Sequence, residues 1–67
     1  MGIATLSKNL REMREKKGLT QKDLADRLSL SDKTISKWET ERSIPDVFTL
    51  LKIAELFDCT LDDLLRG

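Results

Sequence analysis

The sequence predicts an all-α fold, a bundle of five short helices. Apolar residues recur at helical spacing along nearly the whole chain, strand-like alternation is absent, and cap and turn residues cut the periodic stretches into five. A chain of 67 residues makes one domain, residues 1–67, that buries only roughly 60% of the surface its unfolded form exposes. Its 39% apolar and 36% charged residues are the balance of a folded globular chain with a single core.

The first helix is expected to start after Thr5, to place Leu6, Leu10 and Met13 on one face, and to stop at Gly18, a C-terminal glycine. Leu19 then turns the chain inward. Thr20 followed three residues later by Asp23 has capping-box spacing and opens a second helix with Leu24, Ala25 and Leu28 inward. Ser29-Leu30-Ser31 is short enough only for a tight turn, and Ser31 caps a third helix that buries Ile35 and Trp38. Thr40 to Pro45 is a polar connector, after which Asp46 caps the fourth helix. That helix is the most apolar: Val47, Leu50, Leu51, Ala54 and Phe57 form one stripe, widened by Ile53 and Leu56. Thr60 and Asp63 repeat the capping-box spacing before a last short helix presenting Leu61, Leu64 and Leu65.

Several function classes are disfavoured. No apolar run approaches the roughly 18 residues of a membrane span, and no secretory leader pattern opens the chain, so a soluble, cytoplasmic protein is expected. One cysteine and no histidine give neither an internal disulfide nor a zinc-ligand set, so no metal or cofactor is expected, and Cys59 reads as a buried, inert thiol. Without histidine or a glycine-rich phosphate loop an enzyme is not expected; Asp62 and Asp63 read as cap and solvent residues. Net charge is zero, yet residues 1–42 hold ten Lys or Arg against seven Asp or Glu, while residues 43–67 hold two against five. A basic front half can face a polyanion while the acidic rear stays in water.

The third helix carries the chemistry. With Ile35 and Trp38 inward, a step of about 100° per residue turns Asp32, Lys33, Ser36 and Lys37 outward together, with Thr40 just beyond. Lysine donates to guanine O6 and N7, aspartate accepts from cytosine N4 and serine does either, so the face suits base edges in a major groove. An ordinary solvated helix face is the plainer reading of the same residues.

The surrounding residues add to this. Gly18-Leu19-Thr20-Gln21, Leu24-Ala25, Leu28, Leu30-Ser31, Thr34-Ile35-Ser36, Trp38-Glu39 and Pro45-Asp46, through Leu61-Asp62-Asp63-Leu64-Leu65, resemble the lambda-type repressor and Cro helix-turn-helix family over essentially the whole chain. The resemblance implies a five-helix domain with the helix-turn-helix formed by helices two and three, and a sequence-specific double-stranded DNA-binding transcriptional regulator, a repressor reading the major groove. Carried onto matching positions, it implies base contacts by Ser31, Asp32, Lys33, Ser36 and Lys37, and phosphate contacts by Gln21, Thr40 and Arg42. It also implies an inter-helix ion pair between Arg14 and Glu39. Because one module covers few base pairs, a homodimer on a palindromic operator is expected, with Val47, Phe48 and Leu65 as a dimer contact and no small-molecule ligand.

The chain also departs from the family pattern. Ser29, Glu41 and Asp58 stand where such domains often have glycine, at turns of positive φ, each at a cost on the order of 1 kcal/mol. Phe48 lies off the main apolar stripe and reads either as extra core or as the centre of the dimer contact. A second reading of the whole is a helical protein-interaction module, an antitoxin or anti-repressor, that uses helices four and five; zero net charge, Glu41 and Phe48 favour it.

Overall fold

Helix boundaries are set by local hydrogen bonds at both ends. The computed structural model describes residues 2–66 and holds, among them, five helices and no strand: α1 Ile3–Lys16, α2 Gln21–Leu28, α3 Asp32–Glu39, α4 Val47–Leu56 and α5 Leu61–Leu65. Thr20 Oγ1 accepts from the Asp23 N–H at 3.0 Å while the Asp23 carboxylate accepts from the Thr20 N–H at 2.9 Å, closing a capping box. Thr60 and Asp63 do the same, both at 3.0 Å. Ser31 and Asp46 cap α3 and α4 by accepting from Thr34 and Thr49. Only α1 lacks such a signal: extended Gly2 precedes it without a side-chain cap, and the helix begins at Ile3 rather than after Thr5. Its first three residues face outward or are half-buried, so no apolar stripe announces them.

The C-terminal ends of α1 to α4 share one device. Residues Gly18, Ser29, Glu41 and Asp58 adopt φ of 71, 58, 64 and 53°, and the next N–H reaches back to the carbonyls of Arg14, Ala25, Lys37 and Ala54 at 2.8–3.1 Å. The three non-glycine residues thus hold the left-handed conformation that their turn positions predict.

The core is one cluster. Leu6 and Leu10 of α1 meet Leu24 and Ala25, Ile35 and Trp38, Ile53, Ala54 and Phe57, and Leu64. Helix α3 packs on α2 and α1, while α5 closes against α1 and α4. The inner face of α4 is narrower than the sequence implies: Leu50, Ile53, Ala54 and Phe57 turn toward the core, whereas Val47 and Leu51 are exposed. The neighbours of α4 cover one side of it, and an apolar wheel does not say which side. Cys59 is half-buried with its thiol 3.8 Å from the Met13 sulfur, and burial pushes its pKa up, the mark of an unreactive thiol.

Two polar ties that the periodicity does not reveal hold the bundle together. Buried Ser7 donates its hydroxyl to the Trp38 carbonyl at 2.6 Å, fastening α1 to the end of α3. The Asn9 amide donates to the carbonyls of Leu64 and Arg66 at 2.9 and 2.8 Å, supplying donors to the free end of α5.

The caps make stability acid-sensitive. Hydrogen bonds from the backbone N–H groups of Thr20, Thr49 and Thr60 hold the carboxyls of Asp23, Asp46 and Asp63 below their ordinary value of 3.8. A carboxyl with a lower pKa folded than unfolded stabilises the fold at pH above that ordinary value, and the contribution is lost as pH falls below it. The melting temperature is therefore expected to stay level down to about pH 5 and to drop below about pH 4. Asn caps about as well as Asp but does not titrate, so Asp46→Asn flattens part of that drop; a variant curve parallel to the wild type through the acid limb would exclude this cause.

Candidate nucleic-acid interface

The tight turn of Ser29 to Ser31 and the packing of α3 on α2 and α1 set the outer side of α3 toward solvent. Ser31, Asp32, Lys33, Lys37 and Thr40 are exposed there, and Ser36 is half-buried. Lys33, Ser36, Lys37, Thr40 and Arg42 line a shallow hollow of about 190 Å³. Among the described residues, none of the three cations in this hollow forms an ion pair. Lys33 and Lys37 stand one turn apart, about 6 Å along the axis, so the hollow gathers three cations that make no ion pair.

Not every polar group on this surface is free. Ser31 Oγ is the α3 cap and also lies 3.1 Å from the Thr34 hydroxyl. The Thr40 hydroxyl donates to the Ser36 carbonyl at 2.7 Å, so donating to a phosphate requires giving up that bond. Gln21, half-buried at the start of α2, donates one amide hydrogen to Glu39 Oε1 at 3.1 Å and keeps a second for another acceptor.

Behind the surface lies a buried ionic network. Arg14 binds Glu39 through both Nε and Nη2, at 2.7 and 3.0 Å, and its Nη1 donates to the Leu19 carbonyl at 2.7 Å. The hydrogen bond to Glu39 raises the Arg14 pKa further, so the guanidinium stays charged. One carboxylate thus collects α1, the start of α2 and the end of α3. The sequence offers no signal for the Gln21 bond to Glu39, because the two residues lie 18 positions apart.

A second surface is apolar. Phe48 is 78% exposed, which excludes it from the core, and Val47, Leu51 one turn after it, and Ile44 just before α4 are exposed as well. Leu65 is half-buried and packs partly on the core. Ile44 is missed by helical periodicity because it precedes α4.

A capped α2, a tight turn and an α3 whose outer face is open and cationic define a helix-turn-helix domain. The helix-turn-helix family model matches residues 10–64, and the chain belongs to that family, in its lambda repressor and Cro-like branch. It is 39% identical over 61 residues to the HTH-type transcriptional regulator ImmR of Bacillus subtilis, covering 91% of this chain and 48% of ImmR. Identity to the HTH-type transcriptional activator BcrR of Enterococcus faecalis is also 39% over 61 residues, covering 91% of this chain and 30% of BcrR. The chain thus spans about half, or less, of the length of these curated relatives. The P22 c2 repressor, solved in complex with synthetic operator 9T, superposes with a TM-score of 0.85 at 29% identity, covering 92% of this chain and 94% of that one.

Proposed function

We infer that the chain is the sequence-specific double-stranded DNA-binding domain of a transcriptional regulator, acting in the cytoplasm as a repressor. The observation that carries this reading is the hollow on the outer face of α3, where Lys33, Lys37 and Arg42 stand without acidic partners. In this arrangement α3 enters the major groove, with Ser31, Asp32, Lys33, Ser36 and Lys37 at base edges. Gln21 at the α2 N-terminus and Thr40 and Arg42 beyond α3 hold phosphates on either side. The Arg14–Glu39 pair ties α1 to the end of α3 and neutralises a carboxylate that would otherwise repel DNA. Family membership and the operator-bound P22 c2 neighbour support the same assignment.

Size favours a homodimer. The longest Cα extent is 27 Å, short of the roughly 34 Å that separates half-sites one helical turn apart. Two copies meeting through Val47, Phe48 and Leu65 would read a palindromic operator and block RNA polymerase wherever that operator overlaps a promoter. The exposure of Phe48 also favours a protein-interaction module, and salt separates the two readings. DNA affinity falls with a log–log slope of about −0.9 per phosphate neutralised, whereas an apolar contact barely responds.

Titration of a labelled operator, found by selection from random duplexes, tests the assignment. Lys37→Ala is expected to weaken binding by about 1 to 3 kcal/mol and to relax preference at one base pair. Equal weakening on all duplexes moves Lys37 to the phosphates; salt-independent binding, or none at low ionic strength, removes the DNA-binding reading.

A further inference from the structure

We propose that Asp32 fixes one base pair in each half-site, accepting a hydrogen bond from the N4 amine of a cytosine and rejecting the other bases; this rests on the DNA-binding reading above. The position of the side chain is the first argument. Ser31, not Asp32, caps α3. Asp32 is exposed and, among the described residues, its side chain makes no hydrogen bond or ion pair, so its carboxylate is open to an outside donor. It lies one turn before Ser36, which lines the cationic hollow. A duplex drawn to the cationic hollow of Lys33, Lys37 and Arg42 therefore brings its groove toward the first turn of α3, the part of such a helix that reaches base edges.

The second argument is chemical. A carboxylate only accepts hydrogen bonds. In the major groove guanine presents two acceptors and thymine one acceptor with a methyl group; adenine sets its amine beside the N7 acceptor, and cytosine alone offers a donor with no acceptor on the same base edge. Asp32 stripped of water against guanine or thymine is left unpaired and repelled, against adenine it is half-satisfied, and against cytosine it is satisfied. Phosphate charge opposes the carboxylate on every sequence, so Asp32 lowers affinity throughout and lowers it least at the matching pair. Selectivity here comes from rejection of wrong sequences.

Selection from random duplexes with the wild type, Asp32→Ala and Asp32→Asn tests this. The substitutions alter neither a cap nor a packed residue, so all three proteins fold. The wild type is expected to return one cytosine position per half-site. Asp32→Ala loses that preference and binds duplexes altered there about tenfold more tightly than the wild type does. Asp32→Asn shifts the preference to adenine, whose N6 and N7 match an amide. A wild-type motif without that cytosine, or one whose cytosine survives both substitutions, overturns the inference and leaves the DNA-binding reading standing. No motif from the wild type at low ionic strength overturns both.

Discussion

Glu39→Ala is expected to bring the protein close to half unfolded at room temperature. The Glu39 carboxylate receives two bonds from Arg14 and one from Gln21 in a buried setting. Its loss leaves a guanidinium in the interior with only the Leu19 carbonyl to satisfy it. Breaking a buried pair by removing one partner costs about 3–5 kcal/mol, while a core in a domain this small supplies about 3–5 kcal/mol in all. Replacing both partners with apolar residues of similar volume is often neutral, so Arg14→Met with Glu39→Met is expected to recover at least half of the loss. Urea unfolding monitored by circular dichroism measures both. A loss under about 1 kcal/mol for Glu39→Ala would mean that the pair is as well hydrated as a surface one.

The opposite sign is expected where α2, α3 and α4 end. Ser29, Glu41 and Asp58 carry a Cβ in the left-handed region, at about 1–2 kcal/mol each, and glycine there gives back about 0.5–1 kcal/mol of chain entropy. The triple glycine variant should gain about 2 kcal/mol, on the order of 10 °C in melting temperature for a domain of this size. Gly18 provides the control, because a Cβ added there meets nothing within 4 Å and only its φ of 71° opposes a side chain. Gly18→Ala should lose about as much as one of the three substitutions gains. If it melts with the wild type, backbone strain is not what the three residues store. Glu41→Gly also removes a negative charge beside Arg42 and should tighten binding to every duplex.

Most of the fold was legible because its signals are local. Thr20, Ser31, Asp46 and Thr60 announce four helix starts through groups three residues away. The left-handed ends at Ser29, Glu41 and Asp58 are legible only through likeness to domains with glycine there, since nothing in those side chains demands the conformation. What was not legible depends on which elements meet. Ser7 and Asn9 look like solvent residues of α1 until α3 and α5 arrive with unpaired carbonyls. The exposed edge of α4 at Val47 and Leu51 has the same origin, since apolar spacing gives a face but not the extent of its cover. In the interface, the outward set on α3 follows from Ile35 and Trp38 being inward, whereas the hold of Glu39 on Gln21 joins residues far apart in the chain.

Trp38 is the sole tryptophan of a chain that has no tyrosine, and it is buried on the inner side of α3 with its carbonyl bonded to Ser7. Its ultraviolet emission thus comes from one indole on the inner side of α3, making the protein its own optical probe. Melting of α3 exposes that ring to water and reddens the light; a duplex gripped by a rigid helix leaves the colour where it was.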